Sequence, residues 1–319
     1  MKNGTCWTDD EGRLIQAHGG MIARFDGLWY WYGENKDADN VVENGVVCGR
    51  VPFRGVSCYK SRDLHSWHFE GLALAPVEEP GHPLSPERIV ERPKVLRCPA
   101  TGQYVMWFHA DRSDYTLAHA GLAVADRPQG PFRFLRLALP NRRDCRDMTL
   151  FEDPLTGKAY LVHSGDWNKT LYFSELTDDY TGFTGVCHAQ MVNQEREAPV
   201  LFVREGVYHC LTSGCTGWTP NTALLATART LAGGLMKLIC DPMEGPGARR
   251  TFGAQATWSF ECDGQRYLLL DHWQRETLRT SGYSILPVRF DGDEMTVRWQ
   301  DAFCRGKDRP GRSAQAGNQ

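Results

Sequence analysis

One hairpin pattern recurs five times along this chain and constrains its fold more than any other feature. Each copy has an apolar run, a short turn with glycine and a second apolar run, and the turn glycines are Gly27, Gly102, Gly157, Gly206 and Gly264. Glycine suits these turns because short hairpin loops need positive φ. Further strand-like runs follow each hairpin, which gives about four strands per unit and one unit about every 50–75 residues, as in propeller blades. The sequence therefore predicts an all-β fold, a five-bladed β-propeller.

An irregular β-sandwich with many hairpins is the alternative that this pattern leaves open. A two-domain α/β protein would need several amphipathic helices, and the clearest helical signal is residues 222–232, which could equally form a strand. Residues 76–88 are rich in Pro and Glu and lengthen the first interval like an insertion. We expect one propeller domain over residues 1–304, followed by a polar tail over residues 305–319 that is disordered.

Composition narrows the classes of partner. The chain carries 36 basic and 39 acidic residues, a formal net charge of -3, which gives no electrostatic reason to expect nucleic acid or an anionic membrane. No apolar run reaches the ~18–20 residues of a membrane span. The 11 cysteines include no CxxC pair, so zinc-finger spacing is absent. We expect most of them to be reduced core residues, with a buried disulfide or two as the alternative. The first residues show no secretory signal, which leaves a cytoplasmic protein or a trimmed secreted or periplasmic one.

A polar residue stands just before each of the five predicted inner strands: His18, Glu91, Asp147, Glu197 and Gln255. The inner strands of a propeller line its central channel, so we expect these side chains to ring one pocket. Convergent carboxyl groups raise at least one pKa, as a general acid at neutral pH requires. Glycoside hydrolysis uses a carboxylic acid of this kind together with a second group that activates water or attacks the sugar. The alternative is that these residues only hydrogen-bond loops at the propeller mouth.

Several motifs carry a more specific signal. In chain order they are QAHGG at 16–20, WYGENK at 31–36, GVSCY at 55–59, ERPKV at 91–95, RDMTLF at 146–151, REAP at 196–199 and SGCTGW at 213–218. They resemble glycoside hydrolase family 43, and most closely its exo-β-1,3-galactanase branch. The resemblance runs from about residue 18 to residue 299 in the right order, and several motifs in series are more specific than one short pattern.

This resemblance implies a five-bladed propeller and an inverting hydrolase. We expect no cofactor. Such enzymes release galactose from the non-reducing end of β-1,3-galactan, the backbone of arabinogalactan, so the implied partner is a β-1,3-linked galacto-oligosaccharide or arabinogalactan. By this likeness Glu197 is the general acid, and Asp147 tunes the pKa of that acid and orients it or the sugar. Glu91 and Gln255 face the reacting sugar.

The chain departs from the wider family at the group that activates water. Family 43 enzymes usually carry an Asp base in the first blade, but residues 17–20 read AHGG, as the galactanase branch does. Gln255 is the candidate of that branch, although an amide is a very poor base. It could act through its imidic acid tautomer or could position the water. Glu91, a carboxylate, is the alternative base. We favour Gln255 for positioning the water and Glu91 for holding sugar hydroxyls.

Four loop residues are further candidates for sugar contact: Tyr115, Thr216, Trp218 and Asn221. Trp218 could stack on a galactose face, and the alternative for all four is a role as loop anchors. We also expect His18 to contact the substrate, and residues 166–168 could reach the pocket.

We expect no bound metal, because His18 and the histidines at 109, 163, 209 and 272 have no carboxylate at ligand spacing. His272 stands where the galactanase branch tends to have Arg.

Two functions other than galactan hydrolysis are also compatible with the sequence. An α-L-arabinofuranosidase or β-xylosidase of the same family would usually keep the first-blade Asp that is missing here. A propeller that binds glycans without catalysis would need no acid at position 197.

Overall fold

Five antiparallel sheets follow one another along the chain and close into a five-bladed β-propeller in this computed structural model, which describes residues 1–232 and 236–305. The first blade is β1 (His18–Phe25), β2 (Leu28–Glu34), β5 (Val56–Ser61) and β6 (His68–Leu74), with a small hairpin of β3 (Val42–Glu43) and β4 (Val46–Val47) between β2 and β5. The second is β7 (Ile89–Arg97), β8 (Tyr104–Asp111), β9 (His119–Ala125) and β10 (Arg133–Ala138). The third is β11 (Met148–Glu152), β12 (Ala159–Gly165), β13 (Thr170–Leu176) and β14 (Phe183–Gln190). The predicted fold is confirmed.

The last two blades complete the ring. The fourth is β15 (Arg196–Arg204), β16 (Val207–Gly214), β17 (Leu224–Ala228) and β18 (Lys237–Cys240). The fifth is β20 (Gln255–Cys262), β21 (Gln265–His272), β22 (Gly282–Asp291) and β23 (Glu294–Arg298), and the short β19 (Met243–Glu244) pairs in parallel with β23. The first strand of each blade is innermost, since β1, β7, β11, β15 and β20 contact one another around the axis.

The N-terminal residues close the ring by pairing with the fifth blade. Thr5 forms a β-bridge with Tyr283, and Asn3 hydrogen-bonds both the N–H and the carbonyl of Ile285. The seam between the first and fifth blades is filled by large aromatic side chains, among them the fully buried Trp31 and Trp67. Truncating one such buried aromatic side chain would cost about 3–5 kcal/mol of stability.

The hairpin turns have the backbone that their sequences predict. Asp26 and Gly27 have φ of 48° and 83°, and Asp263 and Gly264 have φ of 51° and 73°. Two successive positive φ values give a turn whose twist matches that of the flanking strands, so the residue pair selects the hairpin.

The structure also tests the expectations about helices, the 76–88 segment and the cysteines. Residues 222–232 contain β17 rather than a helix, and helical structure among the described residues is limited to short 3₁₀ turns at Pro140–Arg142, Ala248–Gly253 and Leu278–Thr280. Residues 76–88 form a loop between β6 and β7. All 11 cysteines are free thiols, but only five of them are buried, so the expectation that most are core residues is wrong. No helix in the described part of the chain is long and apolar enough to span a membrane. Arg305 pairs with Asp263 at 2.6 Å, and the rest of the predicted tail lies outside the described residues.

Three of the inner strands begin with the same irregularity. The pairing register shifts after His18, after Glu91 and after Glu197, and the next residue in each case has a left-handed backbone, with φ of 58°, 54° and 49°. An extra residue of this kind bends the strand and turns its side chains away from the regular alternation. These bulges set which side chains point along the axis at this end of the propeller.

Candidate active site

A pocket of about 270 Å³ opens on the propeller axis where the inner strands begin, and we call it the axial pocket. Four of the five polar residues that the sequence predicted at the starts of the inner strands line it: Glu91, Asp147, Glu197 and Gln255. Its other lining residues are Glu34, Arg92, His109, Tyr115, Arg146, Asn168, Gly217, Trp218 and Trp273. The pocket therefore combines four carboxyl groups, three basic side chains and two tryptophans.

Glu197 has the environment of a proton donor. Burial is the main cause that raises its pKa to about 8, and the neighbouring charge of Asp147 raises it further, against the opposing charge of Arg92. Its Oε1 accepts a hydrogen bond of 3.3 Å from Gln255. A carboxyl group with this pKa is largely protonated at neutral pH, which is the state in which it can donate a proton.

Asp147 is held by a charged and hydrogen-bonded clamp. Arg92 donates to its Oδ1 from Nε at 3.1 Å and lies 2.9 Å from its Oδ2 through Nη2. The backbone N–H of Ala198, the left-handed residue after Glu197, also donates to Oδ2 at 3.1 Å. The bulge of the fourth blade therefore fixes Asp147 beside Glu197, and a bidentate guanidinium–carboxylate pair gives that position a defined geometry.

Arg92 links four blades through its side chain and its backbone. Besides the pair with Asp147, its Nη2 donates to Gln255 Oε1 at 2.5 Å, and its backbone N–H donates to Glu34 Oε1 at 3.0 Å. The residue is buried. Sequence reasoning gave Arg92 no role, although it follows Glu91 within the same motif.

The amide of Gln255 is oriented by its neighbours. Its carbonyl oxygen accepts from Arg92 and, at 3.2 Å, from the indole N–H of Trp273. Its Nε2 donates to Ser213 at 2.8 Å and to Glu197. The reverse orientation would point the amide N–H groups at two donors, so the hydrogen-bond network selects this one.

Glu91 lies in the opposite electrostatic environment from Glu197. Burial would raise its pKa, but the neighbouring His109 and Lys36 outweigh that effect and lower the pKa to about 2. Its Oε2 lies 3.3 Å from His109 Nδ1, and its Oε1 accepts a hydrogen bond of 2.9 Å from Tyr115. Glu91 is therefore a fixed anion, which can accept hydrogen bonds from sugar hydroxyls but is a weak base.

His109 is the cation that holds Glu91 ionised. Its other ring nitrogen, Nε2, lies 2.9 Å from Asp111, so the imidazole stands between two carboxylates. Burial would lower its pKa, but the close carboxylates of Asp111 and Glu91 raise the pKa to about 9. The ring is therefore positively charged at neutral pH.

Glu34 is a pocket carboxyl group that sequence reasoning did not identify. It ends β2, and it pairs with Lys36 at 2.6 Å. Its pKa is raised, with burial as the main cause. A Cβ at Gly19 would lie 2.2 Å from Glu34 Oε1, so glycine at that position leaves room for this carboxyl group. The WYGENK motif contained it, but nothing in the spacing indicated that it would point to the axis.

His18 does not reach the axial pocket, in contrast to the sequence expectation. Its ring is fully buried, stacks on Tyr283 with a centroid distance of 4.6 Å, and lies 3.2 Å from Asp271. The backbone at Gly19 is left-handed and changes the course of the strand directly after His18. In this blade Glu34 lines the axial pocket instead of His18.

Of the four loop candidates, only Tyr115 and Trp218 line the axial pocket. Asn221 instead brackets its own loop, accepting from the N–H of Gly214 at 2.8 Å and donating to its carbonyl at 2.6 Å. Thr216 is exposed and donates to the carbonyl of Thr219 at 2.6 Å. Both residues are loop anchors in this structure, the alternative that the sequence left open. Residues 166–168 reach the pocket rim through Asn168.

The histidines at 109, 163, 209 and 272 do not converge on one point. His163 is buried, with its pKa lowered to about 4 by burial, while His209 stacks on Phe202 and His272 lies 2.7 Å from Ser284. Among the described residues, a grouping of three metal-ligand side chains occurs at Asp10, Glu11 and His68, which are exposed and outside the axial pocket.

Comparison with known proteins identifies the family to which this chain belongs. The family described as glycosyl hydrolases family 43 matches residues 46–237. A family 43 β-1,3-galactosidase solved with galactodeoxynojirimycin is 35% identical, with a TM-score of 0.88 over 95% of this chain and 99% of that protein.

Two exo-β-1,3-galactanases are also similar. The one from Phanerochaete chrysosporium, solved with β-1,3-galactotriose, is 31% identical with a TM-score of 0.85, and the one from Clostridium thermocellum is 32% identical with a TM-score of 0.82. Each match covers 93% of this chain, which spans 66% and 64% of those two proteins. No curated protein matches the chain. The chain belongs to glycoside hydrolase family 43 and is a glycoside hydrolase.

Proposed function

We propose that this protein is an inverting exo-β-1,3-galactanase that releases galactose from β-1,3-galactan, the arabinogalactan backbone. The observation that carries the proposal is the axial pocket, which both Glu197 and Glu91 line, with the pKa of Glu197 raised to about 8 and the pKa of Glu91 lowered to about 2. The 35% identity to a β-1,3-galactosidase over nearly the whole chain supports the choice of sugar. The pocket volume of about 270 Å³ lies below the ~300–1,000 Å³ of pockets that enclose drug-sized ligands, which suits a single terminal sugar.

In this mechanism Glu197 donates its proton to the oxygen of the scissile glycosidic bond. The raised pKa of about 8 keeps the proton available at neutral pH. As the C–O bond breaks, the leaving sugar keeps the bonding electrons and that proton, and water attacks the anomeric carbon from the opposite face. The attacking water loses a proton to the surrounding solvent, and Glu197 takes one up from solvent before the next turnover. Asp147 supports the donor in two ways: its negative charge keeps the pKa of Glu197 high, and its clamp with Arg92 fixes the wall beside the acid.

Gln255 positions the attacking water in this proposal. Its carbonyl oxygen already accepts from two donors, Arg92 and Trp273. An imidic acid O–H at that oxygen would face the same two donors, so these contacts favour the ordinary amide. Gln255 Nε2 also forms a hydrogen bond with Glu197. A bound sugar must therefore enter between Gln255 and Glu197, with the attacking water on the Gln255 side of the sugar.

Glu91 holds sugar hydroxyls in this proposal rather than acting as the base. With a pKa of about 2 it has little tendency to take a proton from water near neutral pH. As an anion fixed by Tyr115 and His109, it is a strong hydrogen-bond acceptor for hydroxyl groups of the terminal galactose.

A substrate panel tests the activity. We expect galactose from β-1,3-galactobiose and from β-1,3-galactan, and little turnover of aryl α-L-arabinofuranoside or aryl β-xyloside. Proton NMR during the first turnovers should show α-galactose, the product of inversion at a β-linkage. Turnover of the arabinofuranoside or xyloside alone would replace the galactanase proposal with its same-family rival. Glycan binding without any product would favour the non-catalytic rival.

Replacement of Gln255 tests the water assignment separately. We expect Gln255→Ala to lower kcat on β-1,3-galactobiose by about 10²-fold, the typical contribution of a positioned acid–base group. Near-normal turnover of the variant would remove Gln255 from the mechanism and return the role to Glu91.

A further inference from the structure

Lys94 is a fully buried lysine that the proposed mechanism does not use. It lies on β7, two residues after Arg92, and its relative exposure is 0%. Lysine is almost never fully buried unless its charged group is paired, and an ammonium group that leaves water without partners is strongly unfavourable. Fixed acceptors inside the protein must therefore hold this group.

The ammonium group of Lys94 bridges the bulges of the first and second blades. Its Nζ donates to the carbonyl of Gly19 at 2.7 Å and to the carbonyl of Arg92 at 3.3 Å. Gly19 and Arg92 are the left-handed residues of these two bulges, with φ of 58° and 54°. Because a left-handed backbone is uncommon for a residue other than glycine, the conformation of Arg92 persists only where its surroundings enforce it.

The backbone of each bulge residue is held at both its N–H and its carbonyl group. The N–H of Arg92 donates to Glu34 Oε1, and the N–H of Gly19 donates to Asp271 Oδ2, both at 3.0 Å. The carbonyl groups of both residues accept from Lys94. Lys94 is therefore the side chain that the two bulges share, and it ties the first blade to the second at the pocket end of the propeller.

Arg92 transmits this constraint to the axial pocket. Its side chain pairs with Asp147 and donates to Gln255 Oε1. Two groups of the proposed mechanism are thus held by a side chain whose backbone Lys94 holds. Lys94 is not among the residues that line the pocket, so its effect on the reaction must pass through Arg92.

We infer that Lys94 is a positioning residue whose ammonium group, shared by the carbonyl groups of two bulges, fixes the backbone from which Arg92 reaches Asp147 and Gln255. The inference rests on the proposed function for the roles of Asp147 and Gln255. It adds a residue that touches neither the sugar nor the attacking water.

The charged groups that face Lys94 come from several blades. They are Arg92, Glu34, Asp147 and Asp271. Burial, and then the like charge of Arg92, lower the pKa of Lys94 to about 7, against the three carboxylates. The neutral amine still has two N–H groups, one for each carbonyl, so the bridge persists when the ammonium group loses its proton.

Lys94→Met tests the bridge, because it keeps an apolar stem of similar length and removes every donor. We expect kcat on β-1,3-galactobiose to fall about 10- to 100-fold, the size of effect that small misplacements of reacting groups have. KM should change by less than about threefold, because Glu91 keeps its own partners. The charge of Arg92 lowers the pKa of Glu197, so displacement of Arg92 should raise that pKa by about one unit. Carboxyl-carbon NMR measures the pKa without any substrate.

Two further variants complete the test. Lys94→Gln keeps a neutral donor for one carbonyl and should show both effects at smaller size, and it replaces Lys94→Met if that variant does not fold. Thr257→Val is the matched control, because Thr257 is buried and donates to the carbonyl of Gly20, beside the same first-blade bulge, at 3.1 Å. It removes one buried hydrogen bond and should leave kcat within about twofold and the pKa of Glu197 unchanged.

The outcomes separate the positioning role from the proposed function. Normal kcat in the Lys94 variants would overturn the positioning role, and so would a raised pKa of Glu197 with normal kcat, which is a charge effect alone. Equal losses of kcat in the Lys94 and Thr257 variants would mean general destabilisation and would also overturn it. A wild-type protein that releases no galactose from β-1,3-galactobiose would overturn the proposed function, and the NMR titration of Glu197 would then decide whether Lys94 positions Arg92.

Discussion

Glu91 and Glu197 occupy corresponding positions in the second and fourth blades, yet their carboxyl groups are in opposite states. Each lies at the start of an inner strand, is followed by a left-handed residue, and lines the same axial pocket. The pKa of Glu91 is lowered to about 2, whereas that of Glu197 is raised to about 8. The same residue type on the same local backbone is therefore shifted in opposite directions within one pocket.

The placement of the cations explains the difference. Glu91 has its own cation, because His109 is held against it by Asp111. Arg92, the guanidinium near Glu197, forms its bidentate contact with Asp147 instead, so Glu197 meets burial and a neighbouring negative charge. Blades of the same architecture can thus keep one glutamate protonated and another ionised, because a different side chain faces each glutamate from the neighbouring strand.

Glu197→Gln should have the largest effect on activity. We expect kcat/KM for β-1,3-galactobiose to fall about a thousandfold, since the leaving sugar then receives no proton. β-Galactosyl fluoride needs no protonated leaving group and should be hydrolysed at a rate within about tenfold of wild type. An equal loss on both substrates would contradict the role of Glu197 as the acid.

Glu91→Gln should have the next largest effect. Replacing a charged acceptor by a neutral one should lower kcat/KM about 10- to 100-fold for both substrates, because both contain the terminal sugar. The loss should appear mainly as a higher KM. A loss of kcat by a factor of about 10⁴ on both substrates, with the acidic limb of the pH profile removed, would instead make Glu91 the base.

The pH profile tests the coupling between Asp147 and Glu197. A general acid works when protonated, so activity should fall as the pH rises through about 8. Asp147→Asn removes the negative charge that raises the pKa of Glu197, so this limb should move to lower pH and activity at pH 8 should fall roughly tenfold. A limb that stays in place, measured as kcat/KM on β-1,3-galactobiose, would show that Asp147 does not tune the acid.

Tyr115→Phe should have the smallest effect. The substitution removes the hydrogen bond of 2.9 Å from the phenol to Glu91 Oε1 and keeps the ring. We expect kcat/KM to fall about three- to tenfold, the size of one hydrogen bond to a charged group, with the basic limb near pH 8 unchanged. A shift of that limb would mean that the environments of Glu91 and Glu197 are not separate.

The sequence predicted the parts of this site that follow from the repeat. The hairpin glycines located the blades, and the residues before the inner strands included Glu91, Asp147, Glu197 and Gln255. His18 met the same rule and yet lies away from the pocket, because the direction of a side chain at a bulge depends on backbone register.

Other parts of the site depend on contacts between blades. Arg92 and Glu34 come into contact only when the second blade packs on the first. No residue spacing along a single strand predicts that contact. The sequence suggested that Asn221 and Thr216 contact the sugar, but their side chains form hydrogen bonds within their own loop. Sequence reasoning located the pocket; the assignment of roles within it needed distances and charges.

The most direct test is a carboxyl-carbon NMR titration of the protein labelled at glutamate, with Glu197→Gln and Glu91→Gln used to assign the two resonances. We predict that the Glu197 carboxyl titrates near pH 8 and that the Glu91 carboxyl stays ionised down to about pH 2. If both resonances titrate together near the ordinary glutamate value of about 4, the two carboxyl groups are equivalent and the account of acid and fixed anion is wrong.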